Sequence, residues 1–146
     1  VRPSPNSAPV DSKAAGLYMI CSLSKHEAER KGFDDALMLD YRGLIAEATG
    51  ANIFFKKKRK LFTPIPDCFL NGITRKTVIE IAKLKGLEVE ENHFKPEFLK
   101  DFNEVFLTGT AVEITRHMFR PDRKRWGRER LRGSPLVSLL TAMELY

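Results

Sequence analysis

Long apolar runs are missing from this sequence. No stretch approaches the roughly 20 residues that a membrane-spanning helix needs, and the opening V-R-P-S-P-N lacks the pattern of a secretory leader. An initiator methionine is also missing, as expected of a processed, trimmed or partial chain. Cysteine is scarce. Cys21 and Cys68 sit in apolar neighbourhoods without metal-ligand spacing, so reduced structural thiols and a cytoplasmic setting are expected. His26, His93 and His117 fall on separate segments with no serine or cysteine partner, which gives no weight to a metal cluster or a catalytic triad. Internal repeats are absent.

What is present suffices for one globular domain with a core: 146 residues, 42% of them hydrophobic. The net charge of +6 raises the question of a nucleic-acid partner, and its distribution answers it. One basic cluster is Lys56-Lys57-Lys58-Arg59-Lys60; the other runs from Arg116 to Arg132. The middle of the chain is close to balanced. The first cluster lies between two apolar strand-like runs, which places it at a hairpin tip as a solvated turn. It also looks like a nuclear-localisation pentamer, a match that arises often by chance. No aromatic-interleaved surface accompanies either cluster, so nucleic acid is not the expected partner.

Along the chain, residues 1–12 are rich in Pro, Ser and Asn and read as a linker or extended lead-in. A helix is predicted from Leu17 to Lys31, with Leu17, Ile20, Cys21, Leu23 and Ala28 tending to one face and Gly32 ending it. Strands are predicted over Ala36–Leu39, Ile53–Phe55, Leu61–Thr63, Leu87–Val89, Glu104–Leu107 and Val112–Thr115. A second helix runs from Arg75 to Lys85, capped by Thr74, burying Val78, Ile79, Ile81, Ala82 and Leu84 and ending at Gly86. A short helix spans Pro96–Phe102, and Leu136–Leu145 reads as an apolar helix closing the core.

Four places carry chemistry. Lys13 lies among small residues at the start of the first helix; a solvated surface lysine is the ordinary reading of such a residue. Glu47 follows the apolar run Leu44-Ile45-Ala46 into packed surroundings, where a carboxylate needs a cation. Either a bound cationic ligand or a buried salt bridge to Lys or Arg answers that need. The small residues Ala48, Thr49, Gly50 and Ala51 leave room for a flat ligand. Gly72-Ile73-Thr74 at a helix start offers free backbone N–H groups and a hydroxyl, which suit a phosphate. Thr108-Gly109-Thr110-Ala111 at a strand end is either an ordinary turn or a second anion pocket.

Taken together these motifs resemble the carboxy-terminal domain of the branched-chain amino acid aminotransferases, fold-type IV enzymes that use pyridoxal 5'-phosphate. The likeness is carried by S-K-A-A-G-L-Y from Ser12, E-A-T-G-A-N-I-F-F from Glu47, L-N-G-I-T-R from Leu70 and T-G-T-A from Thr108, and it covers roughly Arg2 to Thr115. It implies an α/β (α+β) fold, a mixed sheet or pseudo-barrel flanked by helices. By the same likeness Lys13 matches the catalytic lysine that attaches the cofactor. An amine acting as a neutral nucleophile and later as a proton shuttle is helped by partial burial beside the cofactor. Glu47 matches the partner of the pyridine nitrogen, and Tyr18 the donor to the phenolic oxygen. Ile73, Thr74 and Thr110 match the phosphate cup, Gly50 and Leu70 the contacts with the ring. The backbone N–H groups of Thr110 and Ala111 match those near the substrate carboxylate. The implied partners are a branched-chain L-amino acid, a 2-oxo acid and a second subunit in a homodimer.

The chain departs from the family twice. By the resemblance, the family's amino-terminal domain, which supplies an arginine to the phosphate and most of the substrate pocket, is expected to lie outside this sequence. Beyond Thr115, residues 116–146 form a divergent basic tail, leaving 13–115 as the expected cofactor domain. D-amino acid aminotransferases and aminodeoxychorismate lyases are related alternatives, since substrate choice is written mostly in the amino-terminal half. A non-catalytic remnant of the cofactor domain is the alternative from another class.

Overall fold

The chain order is α1 (Ala15–Arg30), β1 (Leu37–Leu39), β2 (Ile45–Ala48), β3 (Asn52–Lys57), β4 (Lys60–Pro64), α2 (Ile73–Leu84), β5 (Glu88–Asn92), a 3-10 turn (Pro96–Asp101), β6 (Glu104–Gly109), β7 (Glu113–Arg120) and β8 (Arg125–Glu129). These come from a computed structural model that describes residues 1–102 and 104–109, with the backbone of 113–120 and 125–129. The helix expected over Leu136–Leu145 lies outside the described residues, as do Thr110 and Ala111.

Strand β3 is central because both of its faces are apolar. Ile53, Phe54 and Phe55 alternate across the pleat, and all are buried. Phe54 packs with Leu61, Phe106, Val78, Ile79 and Ala82, so α2 covers that face. Ile53 and Phe55 join Ile45, Phe94, Phe102, Val105 and Leu107 on the other. Phe54 and Phe106 are direct cross-strand partners with rings stacked 4.9 Å apart. The sheet order is β5-β4-β3-β6-β7-β8, antiparallel except for β4 and β5. That parallel pair needs a crossover, and α2 is the crossover. The result is a mixed sheet with helices, the expected α/β (α+β) class. β7 runs without a break across the 115–116 boundary to Arg120.

The small β1–β2 hairpin stands apart from the main sheet. Its turn is held by Asp40, whose Oδ1 accepts from the N–H groups of Arg42 and Leu44. Arg42 in turn donates to both Asp40 and Asp67, tying this turn to the loop after β4. Burial opposes charge on Asp40, but the hydrogen bonds from Arg42 and Leu44 outweigh it and hold the carboxyl below its ordinary range.

Several expectations need correction. Leu23 and Leu84 fit the buried faces by their spacing, yet they are 72% and 87% exposed. The buried residues of α1 are Cys21 and Ala28, and α2 buries Ala82; a residue two positions on is rotated about 200° to the far side. The N-cap of α2 is Gly72, not Thr74, and among the described residues no side-chain cap is formed there. The polar run Glu90–His93 is mostly strand, because β5 continues to Asn92 beside β4. The lead-in is packed down: the Arg2 N–H donates to the Leu39 carbonyl at 2.7 Å, and Val10 is buried.

The basic pentamer is indeed a hairpin tip, with Lys58 at φ 53 in its turn. Its cations have local uses. Lys56 lies 3.8 Å from Glu104, Lys57 sits over the Phe102 ring, and Lys60 pairs with Glu88 and Glu90. Arg59 faces the carbonyls of Lys85 and Gly86 just past the end of α2.

Candidate active site

Five separated segments meet at one cavity of about 480 Å³, the first of them the lead-in with Arg2. Ser12 and Lys13 enter it just before α1, and Tyr18 follows from the first turns of that helix. Glu47, Gly50 and Asn52 come from β2, the turn after it and the start of β3. Leu70, Gly72, Ile73 and Thr74 bring the beginning of α2. Thr108 and Gly109 end β6 at the same place, held by the pairing of Asn52 with Thr108 across β3 and β6.

Glu47 is 7% exposed in a strand whose residues are all buried. Arg2 meets it. The Arg2 Nε lies 3.1 Å from Glu47 Oε1, an ionic contact whose N–H direction does not make it a hydrogen bond. Burial pushes the Glu47 carboxyl up from its ordinary range to about 7, with Arg2 pulling the other way. A proton or a second cation at this carboxylate is therefore accepted easily near neutral pH. The remaining Arg2 contacts are the Leu17 carbonyl and the Cys21 sulfur, at 3.5 and 3.3 Å. Burial also raises the Cys21 thiol, so it is an inert neighbour rather than a nucleophile.

At the other side, α2 starts without a side-chain cap, so its first N–H groups are open to an anion. The start of this helix is anchored by Arg75, 1% exposed. Its guanidinium donates to Asn71 Oδ1, the Pro64 carbonyl and Glu91 Oε2 at 3.0, 2.9 and 2.6 Å. The Thr108 hydroxyl is buried on the cavity wall with no hydrogen-bond partner among the described residues. Such an orphan costs free energy unless a ligand or water satisfies it.

Lys13, Tyr18, Glu47 and Gly50 thus share a cavity with Leu70, Ile73 and Thr74, as sequence reasoning grouped them. Lys13 is exposed, Tyr18 is 46% exposed and Ile73 is 83% exposed. Sequence reasoning missed Arg2, Asn52 and Thr108. Asn52 and Thr108 stand inside motifs already singled out; Arg2, in a Pro- and Ser-rich lead-in, carries no local signal.

The family described as Amino-transferase class IV matches residues 1–117. The chain belongs to this family. Among similar proteins, a probable branched-chain-amino-acid aminotransferase of Rickettsia felis is 56% identical over 110 residues, covering 75% of this chain and 38% of that one. The branched-chain-amino-acid aminotransferase of Escherichia coli (strain K12) is 43% identical over 115 residues, covering 78% of this chain and 37% of that one. Among solved structures, the branched-chain amino acid aminotransferase from Thermobaculum terrenum in its PLP-form superposes at a TM-score of 0.78 and 39% identity. The match takes in 86% of this chain and 41% of the other. This class IV chain spans about two-fifths of the length of the curated relatives it matches.

Proposed function

We propose that this chain is the cofactor-binding part of a pyridoxal-phosphate-dependent aminotransferase. Its reaction moves an amino group between a branched-chain L-amino acid and 2-oxoglutarate. The observation carrying this reading is the convergence of the Lys13 amine, the buried Glu47 carboxylate and the uncapped start of α2 on one cavity. The donor set fits the group: an acid for a ring nitrogen, open N–H groups for a phosphate, and an orphaned Thr108 hydroxyl. Small residues at Gly50 and Ala51 leave width for a flat ring.

When bound, pyridoxal phosphate supplies an electron sink for charge developing at the substrate α-carbon. Lys13 would hold the cofactor through its amine and move a proton at that carbon. Glu47 would keep the ring nitrogen protonated, and Tyr18 would donate to the phenolic oxygen. Ile73 and Thr74, with Thr110, would cradle the phosphate; Gly50 and Leu70 would flank the ring. The backbone N–H groups of Thr110 and Ala111 would face the substrate carboxylate. The finer reading carries a homodimer and a cytoplasmic setting. The free thiols of Cys21 and Cys68 support the cytoplasmic part of that reading. No helix among the described residues is long and apolar enough to cross a membrane.

The test is a visible spectrum of the purified chain mixed with pyridoxal phosphate. A bound-cofactor band is expected, and Lys13→Ala should abolish it. No band, or a band fully retained in Lys13→Ala, overturns the reading. Turnover assays with L-Leu, D-Ala and aminodeoxychorismate then separate the branched-chain type from its fold-type IV relatives.

A further inference from the structure

We infer that Asn52 is a positioning residue that fixes both ends of the cofactor site at once. It joins the Glu47 carboxylate to the loop that opens α2. The inference rests on the pyridoxal-phosphate reading above and assigns a role to a residue that the reading leaves unused.

The geometry is that of a three-way clamp. Asn52 is 5% exposed and begins β3. Its Nδ2 donates to Glu47 Oε2 at 3.4 Å and to the Leu70 carbonyl at 3.0 Å. Its Oδ1 accepts from the Gly72 N–H at 3.2 Å. Both acceptors lie on the nitrogen side and the one donor on the oxygen side. The amide therefore has a single productive orientation, since reversing it would set a carbonyl against a carboxylate and another carbonyl. Glu47 is the group assigned to the ring nitrogen, and Gly72 is the N-cap of the helix assigned to the phosphate. One planar amide spans the gap between them.

Gly72 fits the same close approach. A Cβ at this position would lie 2.5 Å from Asn52 Oδ1, far inside contact distance. Its φ of −61° and ψ of 146° suit any residue, so the backbone conformation does not call for glycine. Close approach of the loop to Asn52 does. Asn52 also pairs with Thr108 in the register of β3 and β6, which sets the clamp opposite the orphaned hydroxyl.

The experiment compares the full chain with Asn52→Ala, Asn52→Asp and Gly72→Ala. Dissociation constants are measured by visible absorption for pyridoxal phosphate and for pyridoxal, which lacks the phosphate. A clamp that sets the phosphate end predicts a loss of about tenfold for pyridoxal phosphate in Asn52→Ala, which removes all three of its hydrogen bonds, the one from the Gly72 N–H at the phosphate end among them. The loss for pyridoxal should be smaller, so that the preference for the phosphorylated form falls. Asn52→Asp keeps the acceptor for Gly72 but places a second acid beside Glu47. It should therefore shift the pH midpoint of the bound-cofactor spectrum upward, a change that loss of folding alone does not produce. Gly72→Ala pushes the amide away from the other side and should reproduce the reduced preference. It also gives the reading if Asn52→Ala does not fold. Wild-type binding with unchanged preference in the folded variants, or equal losses for both ligands, overturns the inference alone. Absence of a wild-type band overturns the functional reading itself, and the inference falls with it.

Discussion

At the residue scale, Glu47 is caught between burial, which disfavours its charge, and Arg2, which favours it. A carboxyl raised from its ordinary range to about 7 binds its proton more tightly when folded than when unfolded. Its contribution to stability is therefore fully present below about pH 4.5 and is lost as the pH rises through about 7, a change of about 3 kcal/mol. Urea melts at pH 5 and pH 8 should show this fall, and Glu47→Gln should flatten it. Asp40 behaves oppositely. Its depressed carboxyl contributes above its unfolded value, and the contribution disappears as the pH falls through the folded one. Arg2→Ala should cost about 3 kcal/mol at pH 8 by stranding a buried charge, and less at pH 5, where Glu47 takes up a proton. In a Glu47→Gln background the same change should cost clearly less at pH 8. Sequence alone identified the need for a cation at Glu47 and left open where it came from. The answer could not be read there, because the pairing with Arg2 depends on how the lead-in folds back along β1.

At the element scale, β3 and α2 decide the shape of the site. Phe55 is fully buried and touches Phe94, Phe98 and Phe102, so Phe55→Ala should cost about 3–5 kcal/mol in denaturant unfolding. Leu84→Ser, by contrast, should stay within about 0.5 kcal/mol, because that side chain already faces water. The same measurement separates the predicted face of α2 from the observed one. The run of β-branched and aromatic residues around Phe54 and the glycine-terminated helices made the elements legible. Helix phase was harder: Leu23 and Leu84 fit an apolar pattern, but only the contact with the sheet shows which part of that pattern is covered. Thr74 illustrates a similar limit. It has the chemistry of a cap, and the helix nonetheless starts two residues earlier than that cap predicts, where Gly72 meets Asn52.

At the scale of the whole molecule, the site is assembled from segments spread from Arg2 to Gly109, so ligand binding should stabilise the entire fold. Pyridoxal phosphate at about one hundred times its dissociation constant should raise the thermal midpoint by roughly 5–10 °C. Lys13→Ala should lose most of that shift, which differential scanning calorimetry would record. The grouping of Lys13, Glu47 and Thr74 was legible through motif order; the cavity's inner wiring through Arg2 and Asn52 was not, because it consists of contacts between distant segments. The anchoring of Arg2 also bears on how the protein is handled. Its backbone is bonded to Leu39 and its guanidinium reaches Glu47, so the second residue of the sequence is interior machinery. Losing Arg2 would withdraw at one stroke the cation that meets Glu47 and the backbone hydrogen bond that ties the lead-in to the end of β1.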